Sequence, residues 1–169
     1  TTDTGDVTIK TDSGFIETGD IKMIAFLKSA DTNRLPGRLR VVSMNRGPSN
    51  TSANIKIDSV KMQFINITIN GEIRGEIDID SQGGLEVKEG VSVNVINNGG
   101  AATAVVNVDS LLGTYIGKHA NKYSNDAFVV WASSNVEDAT ARSNLNVGEQ
   151  FQASGNVTVV AQAGCYRCP

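Results

Sequence analysis

The chain has 169 residues, of which 40% are hydrophobic and 20% charged, and its formal net charge is −3. This length is typical of one domain with a substantial core. The net negative charge argues against nucleic acid as the main partner, because no basic stripe is present to replace the counterions of the phosphates.

The N-terminal residues 1–11 are predicted to form an extension, and residues 12–169 a single β domain. Val7 and Ile9 alternate with polar residues in the extension, as in a short strand whose apolar side chains share one face. The chain starts at Thr1 without Met, which predicts the mature form of an exported protein. It contains no apolar run of roughly 18 residues, so we expect no membrane span.

Alternation of apolar and polar residues continues along the chain, most clearly at 65–69, 77–79, 91–95 and 157–159. Such runs predict strands with one buried and one solvated face, which is typical of antiparallel sheets. The Asn70-Gly71 pair is a strong hairpin signal, because both residues tolerate a positive φ. We therefore predict an all-β fold, an antiparallel β-sandwich of the jelly-roll type with an extended N-terminal strand.

Two segments depart from this period and predict short helices. Leu111, Leu112, Tyr115 and Ile116 have helical spacing, which favours a helix at about 110–120. The polar segment 135–144 is predicted to contain one helical turn.

Residues 78–89 contain the sharpest local motif. Its spacing is that of an oxygen-rich calcium loop, with Asp78, Asp80, Gln82 and Glu89 as candidate ligands. Calcium takes about six to eight oxygen ligands, which alternate acids and a terminal Glu help to supply. The alternative is a plain β-hairpin, since the flanking segments are predicted strands. Calcium is the one candidate cofactor.

The two cysteines, Cys165 and Cys168, form a C-x-x-C pair. Such a pair can be a redox motif, half of a zinc site or a structural disulfide. No helix is predicted to follow it, and His119 is the single histidine that could join a zinc site. We favour a disulfide, within the chain or between subunits, as is usual in exported proteins.

Three sequons provide candidate N-glycosylation sites at Asn50, Asn66 and Asn156. Asn66 and Asn156 fall on the polar faces of predicted strands, where glycans are less usual than in loops. Together with the start at Thr1, the sequons predict an extracellular, secreted or cell-surface protein, with glycans among its candidate partners.

The sequence offers little for catalysis. His119 could join Ser110 and either Asp109 or Asp126 in a hydrolytic arrangement, but the chain has no G-x-S-x-G nucleophile elbow. We therefore expect that the protein is not an enzyme.

The N-terminal segment and the acidic motif resemble those of secreted subunits that polymerise by donor-strand exchange, the TasA-like bundling pilins and the cannula proteins of hyperthermophilic archaea. The resemblance rests on the Thr-Thr start, the Asp6-Val7-Thr8-Ile9-Lys10 tail, the jelly-roll-like strand pattern and the loop at 78–89. It implies an extracellular structural subunit that donates its N-terminal strand to a neighbour in a filament, pilus or tube. For the cannula group it also implies assembly promoted by calcium.

The alternative function is a carbohydrate- or cell-surface-binding β-sandwich, an adhesin-like module. Deletion of residues 1–11 separates the two, because it should abolish polymers in the first case and leave ligand binding intact in the second. A glycosidase with Glu72 and Glu76 as paired carboxylates is a third reading, which the scarcity of aromatic residues disfavours.

Overall fold

The computed structural model describes residues 6–12, 14–26, 34–44, 53–120 and 124–164, except for the side chains of Phe26 and Asn66. Of the described residues, 72% lie in β-strands and none lies in an α-helix. Within these ranges we find no helical segment with the length and apolar character that a bilayer crossing requires.

The strands of the described ranges form two sheets. The first has five strands in the order β1-β3-β5-β8-β11, namely β1 (Asp6–Thr11), β3 (Arg34–Ser43), β5 (Glu72–Ser81), β8 (Ala102–Ser110) and β11 (Ala139–Val147). The second has eight, namely β2 (Ile16–Phe26), β4 (Ile55–Ile67), β6 (Leu85–Val87), β7 (Val91–Asn97), β9 (Thr114–Ile116), β10 (Asp126–Ser134), β12 (Phe151–Ala153) and β13 (Asn156–Ala163).

The chain crosses from the first sheet to the second and back, and each such circuit makes one coil of a parallel β-helix. In the described chain, the five strands of the first sheet mark five stacked coils. In the second sheet, residues 55–57 of β4 pair with β6, whereas residues 60–64 pair with β7. The second sheet therefore bends between β6 and β7, which gives it a barrel-like curvature.

Equivalent positions of successive coils stack into columns inside the β-helix. Leu39 of β3 pairs with Ile77 of β5, and Ile77 pairs with Val106 of β8. All three are buried, as are Phe64 and Phe128, the two largest fully buried side chains. Each coil removes the apolar face of its neighbour from water, and this burial is the main stabilising contribution to the fold.

A buried asparagine, Asn97, forms hydrogen bonds with the backbone at the corner that leads from β7 to β8. The Asn97 Oδ1 atom accepts hydrogen bonds from the backbone N–H of Ile69 (3.2 Å) and of Gly99 (3.0 Å). Its Nδ2 atom donates to the carbonyl oxygens of Gly71 (2.9 Å) and Ala101 (3.0 Å). One side chain thus satisfies backbone groups of two coils at a corner where no sheet can do so.

Stacked serines also form hydrogen bonds with backbone groups, at the corner that follows the first sheet. Ser43, Ser81 and Ser110 occupy one column and are buried. The Ser81 hydroxyl donates to the carbonyl oxygen of Gly84 (2.9 Å), and the Ser110 hydroxyl donates to that of Gly83 (3.1 Å). These small hydroxyls hold the turning backbone of adjacent coils together.

The predicted antiparallel β-sandwich of the jelly-roll type is wrong, because all the strand pairs of the described chain are parallel. Parallel sheets covered by helices on both faces lack alternation, whereas a β-helix strand has one core face and one solvent face and so alternates like an antiparallel strand. The Asn70-Gly71 pair makes no hairpin, since it lies at the corner between β4 and β5, which belong to different sheets.

The two predicted short helices are also wrong. The segment 110–120 contains the end of β8, a corner and the short strand β9. Its apparent helical spacing arises because Leu111 and Leu112 lie in the corner, while Ile116 faces the core from β9. The segment 135–144 contains a corner and most of β11.

Candidate functional site

In the part of the chain that the structure describes, the first coil, made by β1 and β2, leaves apolar side chains of the interior open at one end of the β-helix. The donor-strand candidates Val7 and Ile9 lie on β1, in the columns of Leu39 and Val41. Val7 is 45% exposed, although Leu39 is buried. The difference arises because β1 is the edge strand of its sheet in the described chain. An edge strand of this kind can pair with another strand.

The last coil, made by β11, β12 and β13, leaves the opposite end of the β-helix open in the same way among the described residues. Val157 and Val159 of β13 continue the columns of Phe128 and Val130, which are buried. The two valines are 48% and 42% exposed, respectively. Leu145 of β11 also faces this end and is 38% exposed. Sequence reasoning missed these residues as site residues, although the alternation at 157–159 was a visible signal.

The two open ends are complementary when the internal register is continued from one copy of the chain to the next. The column that begins with Ile9 ends with Leu145. The column that begins with Met23 ends with Val159. If a second copy is placed beyond the last coil in the same register, its Ile9 therefore covers Leu145 and its Met23 covers Val159.

Opposite charges also match between the two ends. Asp6 and Arg142 are the first and last members of one column on the outer face of the first sheet. Both residues are exposed. The continued register places the carboxylate of one copy beside the guanidinium of the next.

The candidate calcium ligands are distributed over three parts of one coil. Asp78 and Asp80 lie on β5, Gln82 lies in the corner that follows β5, and Glu89 lies in the corner that follows β6. Asp78 accepts hydrogen bonds from Arg38 Nε (2.5 Å) and from Asn107 Nδ2 (2.6 Å). No group of three or more acidic, histidine or cysteine side chains with metal-site geometry occurs in the described ranges.

The pKa of Asp80 is raised from the ordinary value of an aspartate. Burial raises its pKa, the neighbouring Asp109 carboxylate raises it further, and Arg40 opposes the change. Asp80 and Asp109 are cross-strand partners on β5 and β8. Asp80 therefore retains a proton more readily than an isolated Asp, which weakens it as a cation ligand at low pH.

Ser110 precedes β9 and His119 follows it, whereas His119 lies beside Asp126. Ser110 ends β8, and its hydroxyl donates to the Gly83 carbonyl in the serine corner. His119 follows β9 at the far end of that strand, and its backbone N–H donates to the Asp126 carbonyl (3.0 Å). Burial lowers the pKa of His119, with Lys61 adding to the change and Asp126 opposing it. His119 thus acts as a packed corner residue beside Gly90.

The sequon and cysteine predictions stay predictions. Asn156 is exposed at the start of β13, where a glycan would meet solvent. Asn66 lies on β4, but its side chain is among those not described, and Asn50, Cys165 and Cys168 lie outside the described residues.

Comparison of the chain with protein-family models, with curated proteins and with solved structures finds no match. The resemblance to strand-exchanging filament subunits therefore stays a prediction.

Proposed function

We propose that this protein is an extracellular structural subunit that self-assembles end to end, with the first coil of one copy stacking on the last coil of the next. The observation that supports the proposal most strongly is the continuity of the interior columns across the two open ends. Ile9 and Met23 at one end match Leu145 and Val159 at the other.

Stacking of this kind uses the N-terminal strand without removing it from its own sheet. All of β1, from Asp6 to Thr11, pairs with β3 of the same chain. The strand would therefore offer its outer edge, over Asp6 to Lys10, to the neighbour, in addition to its internal pairing. A head-to-tail contact of two different surfaces does not close on itself unless it makes a ring, so a straight stack leads to a filament.

The apolar columns and the charge pair contribute differently to the contact. Burying the half-exposed interior side chains supplies most of the favourable free energy, at about 25 cal/mol per Å² of apolar surface. An exposed ion pair such as Asp6 with Arg142 adds roughly 0.2–1 kcal/mol. Its main effect is to fix the register, because a shift along the strands separates the two charges.

Sedimentation velocity over a range of concentrations tests the proposal. We expect the unmodified protein to form concentration-dependent oligomers, and Val159→Asp to remain monomeric because it introduces a carboxylate into the apolar junction. The matched control is Ser92→Asp, which places the same group on the outer face of β7 in a central coil. A monomeric unmodified protein, or equal loss of oligomers in both variants, would contradict end-to-end stacking.

The charge pair allows a sharper version of the same test. Arg142→Asp should weaken assembly, and the second change Asp6→Arg in the same chain should restore it, because the opposite charges again meet. Calcium dependence stays a prediction, and sedimentation with added calcium and with a chelator tests it.

A further inference from the structure

A shallow lateral groove runs along the outer face of the second sheet, away from the two open ends. Its volume is about 450 Å³. Its floor carries one outward-facing side chain from each of four successive coils, Lys56, Glu86, Tyr115 and Gln152, which are neighbours in register. Adjacent strands lie about 4.8 Å apart, so the groove crosses the strands and follows the axis of the β-helix.

A second depression extends this groove to the first coil. Its volume is about 270 Å³, and it shares Asn54 and Lys56 with the groove while adding Phe15 and Glu17. Phe15 is 67% exposed and Tyr115 is 37% exposed. Two accessible aromatic rings therefore lie along one continuous track, separated by polar side chains.

We propose that this lateral groove binds a neutral oligosaccharide. Sugar rings present apolar faces that stack on aromatic side chains, and their hydroxyls both donate and accept hydrogen bonds. The groove supplies the two rings for stacking, and it supplies donors and acceptors from Asn54, Gln150 and Gln152. Convergent polar groups around aromatic surface are the usual composition of a ligand site.

The charges of the groove select against anionic polymers. The track is lined by Lys56 and by three carboxylates, those of Glu17, Glu86 and Glu149. A nucleic acid or an acidic polysaccharide would bring negative charge against this excess of carboxylates, without a basic stripe to release counterions. A linear neutral glycan avoids this repulsion and fits the elongated shape.

Glycan binding in the lateral groove does not depend on end-to-end assembly, but assembly would lengthen the groove. The outward column that begins with Glu17 ends with Gln152. In a stack of copies, the grooves of neighbouring subunits would therefore join into one longer track.

Isothermal titration with a panel of linear neutral hexasaccharides of glucose, mannose, galactose and N-acetylglucosamine tests the proposal on the complete chain. We expect binding of at least one neutral hexasaccharide, and weaker binding of a sulfated hexasaccharide. Tyr115→Ala should weaken the affinity by about tenfold, as loss of one aromatic stacking contact predicts. The matched control is Val136→Ala, an exposed apolar residue at the corner between β10 and β11, which should bind as the unmodified protein does.

Thermal unfolding of each variant shows whether it is folded, and Tyr115→Phe, which retains the ring, should retain most of the affinity. Three results would contradict the proposal that the lateral groove binds a neutral oligosaccharide. They are absence of binding to every neutral hexasaccharide, stronger binding of the sulfated one, and equal affinity of Tyr115→Ala and the unmodified protein. Sedimentation of the same samples reports assembly separately, so that failure of one proposal is distinguishable from failure of the other.

Discussion

The central coil made by β5, β6 and β7 and the last coil made by β11, β12 and β13 have the same alternating design but different burial. Val93 of the central coil is completely buried, whereas Val159, in the same column, is 42% exposed. Both are valines that point toward the axis of the β-helix. The difference therefore comes from the presence or absence of a stacked neighbour.

This comparison shows that each coil depends on the next one to complete its core. A single coil buries little surface by itself, and nearest-neighbour contacts supply the stability of repeat architectures. The ends of such a stack are exposed unless something covers them, and an exposed parallel edge favours association. The following substitutions test the contrast between central and terminal coils.

The largest difference should appear when a central aromatic residue is truncated. Phe64 of β4 is fully buried, and Phe64→Ala should reduce the free energy of unfolding by about 3–5 kcal/mol. In the last coil, Val159→Ala should cost roughly 1 kcal/mol or less in the monomer, since much of that side chain is already in water. Urea denaturation at a concentration where both proteins are monomeric measures the two values, and equal losses would remove the distinction between the coils.

Loss of the buried corner asparagine should have the next largest effect. Asn97→Ala removes four hydrogen bonds to backbone groups, and we expect a loss of about 2–3 kcal/mol. Asn98→Ala at the adjacent exposed position serves as the control. A loss below that of the control would show that water replaces the asparagine at this corner.

A methyl group added where the two sheets approach closely should destabilise the protein less than loss of Asn97. A Cβ atom at Gly75 would meet Val95 Cγ2 at 2.9 Å and Met62 Sδ at 3.1 Å, so Gly75→Ala should destabilise the protein by about 1–3 kcal/mol through overpacking. Gly19→Ala adds the same methyl group where the nearest atom is 3.8 Å away, and it should be close to neutral. Thermal unfolding of the two variants tests whether the sheets pack as tightly as the structure indicates.

The smallest effect concerns pH. The pKa of His119 is lowered from its ordinary value of 6.5 by burial, so the unfolded chain binds more protons than the folded protein just below that value. Stability should therefore fall as the pH drops through 6.5 toward the folded pKa, and His119→Gln should reduce this loss. Urea denaturation at about pH 7.5 and about pH 5.5 measures the change; an unchanged pH dependence in the variant would show that His119 is not its source.

Much of the strand content and many inward positions could be predicted from the sequence, because alternation reports directly which residues face the core. The direction of strand pairing could not, since an antiparallel sandwich and a β-helix produce the same two-residue period. The repeat was also hidden, because the coils differ in length: Leu39 stacks on Ile77 and Ile77 on Val106, at unequal intervals.

The candidate site was predicted in part. Alternation at Val7 and Ile9 indicated an N-terminal strand with one apolar face, and the structure places both on the exposed first coil. Spacing alone suggested a calcium loop at 78–89, but a corner divides that segment between two sheets. The open last coil was not predicted, because its exposure depends on stacking that only the complete fold reveals.

X-ray fibre diffraction from aligned assemblies of the unmodified protein tests end-to-end stacking most directly. Strands that run across the axis of a continuous stack should give a reflection at about 4.8 Å along the fibre axis. Absence of fibres, or a reflection of that spacing perpendicular to the fibre axis, would contradict the stacking of the first coil on the last.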